Sequence, residues 1–179
     1  MSKPPRRAAF LDRDGVLNVA VLREGKPYPP TDASELEIVP GALECLQALR
    51  AAGYLLIVVS NQPDVARGTQ TREAVEAIHS RLRAVLPLDA IYVCYHDADA
   101  GCECRKPKPG MLLAAAKDFG IDLAQSFMIG DRWRDIDAGA MAGCRTVFLD
   151  FGYAEAGPAN PPSISVGRLQ EGIEWVLNA

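Results

Sequence analysis

Short apolar runs that stop abruptly on acids, hydroxyls or amides constrain this chain more than any other feature. Ala8-Ala9-Phe10-Leu11 ends on Asp12, Leu55 to Val59 ends on Ser60-Asn61, and Phe127 to Ile129 ends on Gly130-Asp131. Ala90 to Val93 and Arg145 to Leu149 are two further runs of this kind. Such segments lack polar alternation, which suits strands buried on both faces of a parallel sheet. Amphipathic stretches lie between them. One opens at Pro40-Gly41, carries Leu43, Leu46 and Leu49, and closes at Gly53; another begins at Thr71 with Val75, Ile78, Leu82 and Val85 on one face. Pro109 starts a helix running to Phe119 with Gly120 as its stop, and a further helix over Ile136 to Ala142 ends at Gly143. A last helix is expected over Val166 to Leu177.

Strands alternating with helices at this spacing predict an α/β, Rossmann-like parallel sheet with helices on both faces. Ligands bind such sheets beyond the carboxyl ends of the strands, where the chemically capable residues of this chain fall. Val19 to Val39 and Phe151 to Ser165 are rich in Pro and Gly and read as loops. Neither is long enough for a separate lid, so no large cap domain is expected and the site should be open. The 179 residues suit one domain spanning 1–179.

A net charge of −4 excludes a nonspecific nucleic-acid binder. No apolar run approaches the roughly 20 residues of a membrane-spanning helix. The basic stretch Met1 to Arg7 leads directly into a strand-like run, unlike a secretory signal. The expectation is a cytoplasmic monomer. Its cations are unevenly placed: Arg13, Arg105, Lys106, Lys108, Arg132 and Arg134 all adjoin the polar motifs, as an anion site requires.

Asp12 and Asp14 stand two apart at a strand end, so strand periodicity turns both to one side. One carboxylate can attack phosphorus while the other gives a proton to the leaving oxygen. Ser60 and neighbouring backbone N–H groups could hold phosphoryl oxygens. Lys106 can neutralise nucleophile and phosphate, and Arg105 can grip a second anionic group in bidentate fashion. Asp131 with Asp12 offers carboxylate ligands to Mg²⁺, and Asp135 can orient Asp131 or a bound water or cap the next helix, two compatible roles. Arg13, Asn61 and Arg132 are expected to contact substrate.

Cys94-x-His96-x₅-Cys102-x-Cys104 supplies three thiolates and an imidazole within one short stretch. That is the donor set of a closed, structural zinc site, and such a zinc-binding loop would pin the segment delivering Arg105 and Lys106. Cys45 and Cys144 sit alone in apolar surroundings and read as buried free thiols. An odd count of five with a local cluster suits a reducing compartment. His79 reads as an exposed helix residue.

In this order, the motifs around Asp12, Ser60, Lys106 and Asp131 resemble the haloacid dehalogenase superfamily of phosphotransferases, from Phe10 to Asp150. The resemblance implies an aspartyl-phosphate intermediate on Asp12 and acid–base work by Asp14, which also binds Mg²⁺ through its backbone carbonyl. It further implies that Ser60 and Lys106 steady the phosphoryl group and that Asp131 is a metal ligand. The run Asp12 to Asn18, Ser60-Asn61-Gln62 with Ala66-Arg67-Gly68, and the cysteine loop continuing to Pro109-Gly110-Met111 are similar to the heptose bisphosphate phosphatase group. Histidinol-phosphate phosphatases carry the same kind of zinc loop. This narrower resemblance implies a sugar bisphosphate substrate. The reaction implied is removal of the 7-phosphate of D-glycero-D-manno-heptose 1,7-bisphosphate during synthesis of lipopolysaccharide or surface-glycan heptose, with Arg105 reading the substrate beyond the transferred phosphate. Departures from that pattern are Pro63-Asp64-Val65 in place of Ser-Gly-(Ile/Leu), Tyr95 where Pro is common, and Arg132 where Lys or another polar residue occurs. Two alternatives stay open at this point: a phosphatase for histidinol phosphate or another small metabolite, and a noncatalytic zinc-stabilised binding protein.

Overall fold

Asp12 sits where the chain changes direction across a parallel sheet. The computed structural model describes residues 5–179, so Met1–Pro4 of the basic N-terminal stretch lie outside the described residues. Strands β1 (Arg7–Leu11), β4 (Tyr54–Asn61), β5 (Ala90–Cys94), β6 (Phe127–Gly130), β7 (Arg145–Leu149) and β8 (Ile164–Val166) form one sheet. Their order is β5-β4-β1-β6-β7-β8, and every neighbouring pair is parallel. The chain builds outward from β1 to β4 and β5, then returns to β6 on the other flank. The crevice at the carboxyl end of β1 is therefore the topological switch point, where such sheets bind ligands.

Helices α1 (Ala42–Ala51), α2 (Arg72–Val85) and α5 (Leu169–Asn178) cover one face, and α3 (Gly110–Phe119) and α4 (Trp133–Ala142) cover the other. The period of two in β1 feeds both layers. Ala9 and Leu11 pack with Leu46, Leu49, Ile78, Leu82 and Ile173, whereas Ala8 and Phe10 pack with Met111, Leu112, Ala115 and Ala138. From Ala8 to Leu11, β1 is thus apolar on both faces, as its sequence required. The helix starts also follow local chemistry: the Thr71 hydroxyl caps α2 by accepting from Ala74 N, and Gly120 and Gly143 close α3 and α4 with positive φ. Cys45 and Cys144 are buried free thiols, as expected.

Two expectations are corrected. Residues 19–39 are not wholly loop, because Val21–Arg23 (β2) and Lys26–Tyr28 (β3) pair as an antiparallel hairpin over the site. The last helix does not begin at Val166. That residue ends β8, a three-residue sixth strand, and α5 starts at Leu169. An edge strand this short, set among prolines, carries no sequence period and is selected by pairing with β7. Among the described residues no cap domain stands over the site, and no helix is long and apolar enough to cross a membrane.

Candidate active site

The ends of β1 and β6, the first turn of α4 and the loop before α3 bring Asp12, Asp131, Asp135 and Lys106 together. The Lys106 ammonium, almost fully buried, lies 2.9 Å from Asp12 Oδ1 and 2.6 Å from Asp135 Oδ1, and donates to Val59 O at 2.7 Å. Burial disfavours the charged ammonium, but Asp12 and Asp135 hold its pKa above the ordinary value. Asp12 is raised to about 7, first by burial and then by the charge of Asp135, against the pull of Lys106. Asp131 is also raised, by burial and by Asp12 and Asp135.

Carboxylate oxygens of Asp12, Asp131 and Asp135 all lie within 4.8 Å of one another. Asp131 Oδ1 is buried without a hydrogen-bond partner, while its Oδ2 accepts from the Tyr153 hydroxyl at 2.7 Å. Three crowded carboxylates facing one ammonium, with an unsatisfied oxygen among them, fit a hard divalent cation. Asp135 caps the next helix, one of its anticipated roles: its Oδ2 accepts from Arg132 N at the start of α4, and its Oδ1 pairs with Lys106. Gly15 makes the crowding possible. Its φ is +85°, and a Cβ there would overlap Asp131 Oδ2.

Asp14 stands beside Asp12 at the pocket but in a different environment. Burial opposes its ionisation, yet Arg13 and hydrogen bonds from Asn18 and Gln62 hold its carboxyl below the ordinary value. The two acids of one motif are thus pushed apart, Asp12 up and Asp14 down, the reverse of what a carboxylate nucleophile and a protonated acid require of the bare site; a divalent cation on Asp12 and an arriving phosphate dianion beside Asp14 would each push back. Ser60 is fully buried, and its Oγ accepts from Gln62 Nε2 at 2.8 Å. Gln62, which sequence reasoning did not single out, bridges Ser60 to Asp14.

One expected substrate contact, Arg13, is corrected, while Asn61 and Arg132 line the pocket and also hold partners within the protein. Arg13 is fully buried and does not line the pocket, since its guanidinium is turned inward onto Asp14. Asn61 lines the pocket, but its amide clasps Lys106: Nδ2 donates to Lys106 O and Oδ1 accepts from Lys106 N, each at 3.0 Å. That clasp fixes the lysine loop to the end of β4. Arg132 is neutralised by Glu155, whose carboxylate accepts from Nε at 2.6 Å and Nη2 at 2.5 Å. His79, expected to be exposed, is buried.

The pocket holds about 420 Å³ and is rimmed by Lys26, Arg67, Arg105, Arg132 and Arg134. Arg67 is paired with Asp97 and Asp64. Arg105 and Arg134 have no carboxylate partner among the described residues, and Arg105 Nη1 donates to His96 O. Arg134 stacks its guanidinium on the Trp133 ring. The segment after β7 supplies both Tyr153 and Glu155 to the site. Buried Asp137 of α4 anchors it by accepting from Ala159 N and Asn160 N at 3.2 and 2.8 Å. Nothing in the sequence around Tyr153 or Glu155 forms a motif, so these partners were missed.

The Cys94, His96, Cys102 and Cys104 donor atoms also converge within 4.8 Å. Cys94 Sγ lies 3.7 Å from Cys102 Sγ and 3.1 Å from Cys104 Sγ, and His96 Nδ1 lies 3.6 and 3.3 Å from Cys94 and Cys104 Sγ. Tetrahedral zinc with bonds of about 2.3 Å to sulfur sets ligand sulfurs about 3.8 Å apart, so the spacing and donor set fit that ion. Cys94 ends β5, the other three donors lie in the loop between β5 and α3, and that loop also carries Arg105 and Lys106.

Comparison with known proteins agrees with this geometry. A model of the haloacid dehalogenase-like hydrolase family matches residues 18–143. A D-glycero-beta-D-manno-heptose-1,7-bisphosphate 7-phosphatase of Pasteurella multocida is 37% identical over 155 residues, covering 80% of this chain and 81% of that protein. An enzyme named for the same phosphatase activity in Thermosynechococcus vestitus is 34% identical, with 96% of each chain covered. A solved structure of the D,D-heptose 1,7-bisphosphate phosphatase from B. bronchiseptica, complexed with magnesium and phosphate, superposes with a TM-score of 0.77 at 29% identity, covering 96% of this chain and 98% of that one. Sheet topology, strand-end carboxylates and these similarities lead to one conclusion: the chain belongs to the haloacid dehalogenase-like hydrolase family.

Proposed function

We propose that this phosphatase removes the 7-phosphate of D-glycero-D-manno-heptose 1,7-bisphosphate, with Asp12 as nucleophile. The observation carrying the reading is the convergence of Asp12, Asp14, Lys106, Asp131 and Asp135 beneath a pocket rimmed by five cationic side chains, of which Arg105 and Arg134 have no carboxylate partner among the described residues. The similarity to heptose bisphosphate phosphatases over most of their length supports the choice of substrate.

The steps follow from the chain's own residues. An Asp12 carboxylate oxygen bonds to phosphorus as the bond from phosphorus to the sugar oxygen breaks, and Asp14 gives its proton to that departing oxygen. Asp14, now a carboxylate, takes a proton from water as the water oxygen attacks phosphorus. The bond between phosphorus and Asp12 breaks, inorganic phosphate leaves, and both residues return to their starting states. Lys106 neutralises the nucleophile and phosphoryl oxygens throughout. Asp12, Asp131 and the Asp14 carbonyl would hold Mg²⁺, which supplies charge neutralisation for the transferring group. Zinc, held by Cys94, His96, Cys102 and Cys104, would keep the Arg105–Lys106 segment in place.

Arg105 and Arg134 suit a second phosphate outside the reaction centre, which favours a bisphosphate over histidinol phosphate. The reading also takes the chain as one domain acting as a cytoplasmic monomer on a diffusible metabolite. Its test is a turnover screen of the α- and β-heptose bisphosphates, fructose bisphosphate and histidinol phosphate. Preference for a heptose ester is expected, together with loss of turnover in a folded Asp12→Asn protein. Preference for histidinol phosphate, or substantial activity in Asp12→Asn, overturns the assignment.

A further inference from the structure

Behind Asp14, on the side away from the pocket, a line of polar side chains runs through the protein to the cysteine loop. Arg13 is fully buried and grips Asp14 with a fork: Nε donates to both carboxylate oxygens at 3.2 Å, and Nη2 donates to Oδ1 at 3.1 Å. Its remaining Nη1 lies 3.1 Å from Nε2 of His79 on α2. A guanidinium has donors only, so His79 Nε2 accepts and the ring proton sits on Nδ1. Nδ1 lies 3.5 Å from Glu76 Oε1, and the same carboxylate oxygen accepts from the hydroxyl of Tyr95, between Cys94 and His96. Arg13, Glu76 and Arg83 are the charged groups acting on His79. Burial first and Arg13 second hold its pKa down to about 4, which keeps the ring neutral at working pH.

We propose that His79 is a positioning residue for the proton-transfer step, locking the Arg13 fork onto Asp14 by accepting from Nη1. The proposal rests on the assignment of Asp14 as the acid. A guanidinium with no exposure cannot turn to water, so each donor needs a protein acceptor. Without the imidazole, Nη1 has none, and the carboxylate on the far side of the histidine is Glu76. Movement of Arg13 toward Glu76 draws the fork off Asp14 and leaves the acid free to rotate from the leaving oxygen. A histidine serving only as core filling would need neither a matched tautomer nor an acceptor directed at the arginine.

The experiment compares His79→Leu, His79→Gln and Asp14→Asn on two esters. One is a heptose or fructose bisphosphate, whose alkoxide must be protonated; the other is p-nitrophenyl phosphate, whose leaving group needs no proton. General acids contribute about 10²–10⁴-fold, so on the sugar ester His79→Leu should lose about tenfold or more in kcat/KM, which reports formation of the aspartyl phosphate and not its later hydrolysis, with a much smaller loss on the aryl ester. His79→Gln, which places an acceptor oxygen near the Nε2 position, should recover most of the loss. If His79→Leu fails to fold, His79→Asn, one methylene too short to reach Arg13, replaces it in the comparison. Equal losses on both esters, or a glutamine variant no better than leucine, overturn the proposal while Asp14→Asn remains selective for the sugar ester. Equal losses of kcat/KM on the two esters in Asp14→Asn overturn the acid assignment itself and the proposal with it.

Discussion

Binding of Mg²⁺ should stabilise this protein far more at pH 8 than at pH 5, and the size of the difference follows from Asp12. Burial and the charges of Asp135 and Asp14 raise Asp12 from 3.8 to about 7. A raised carboxylate favours the protonated folded state. The metal-free protein therefore loses this contribution to stability as the pH rises from near 4 toward 7. Mg²⁺ must displace the same proton to bind. Two pH units below the raised value, its apparent affinity is about 100-fold weaker, or about 2.7 kcal/mol. For a chain of this size that is about 5–11 °C in melting temperature. His79 acts in the opposite sense. Its value is lowered from 6.5 to about 4, so it destabilises the fold as the pH falls through that range. It does so equally with and without Mg²⁺, so the difference between paired melts at a fixed Mg²⁺ concentration removes it. Thermal melts of dialysed protein with and without added Mg²⁺, across this pH range, make the measurement. A stabilisation independent of pH would refute the crowded, proton-holding carboxylate cluster.

Gly15→Ala should lose activity out of proportion to stability. The left-handed backbone costs about 1–2 kcal/mol in the melt, whereas displacing Asp131 removes most of kcat. Metal analysis should find about one zinc per chain; Cys104→Ser should lose it along with thermal stability, and an equally stable zinc-free protein would refute the loop assignment. Tyr153→Phe should weaken Mg²⁺ binding about tenfold by titration, because it removes the hydrogen bond that orients Asp131.

The parallel sheet was legible because buried strands advertise themselves locally, and the chemistry was legible because each motif occupies consecutive positions at a strand end. Asp12 with Asp14, Lys106 and Asp131 needed only the rule that ligands bind beyond those ends. The cysteine cluster was legible for a similar reason: all its donors come from one short stretch, so sequence distance bounds spatial distance. The hairpin over residues 21–28 and strand β8 were not, since segments of three residues carry too little period to reveal pairing.

Sequence by itself therefore determined the layered α/β architecture, the paired carboxylates Asp12 and Asp14 at the end of β1, and the clustered Cys and His donors. Tertiary structure alone decided what surrounds them: Arg13 turned inward onto Asp14 and His79, Glu155 neutralising Arg132, Tyr153 on Asp131, and Asn61 clasping the backbone of Lys106. The partners in those contacts stand 66, 23, 22 and 45 residues apart, except for Arg13 with its neighbour Asp14. Side-chain type and local spacing set what a residue can do, but a buried charge takes whichever partner the packing brings to it. That choice belongs to the whole fold, because the cost of leaving such a group unpaired is met only after the chain has closed around it.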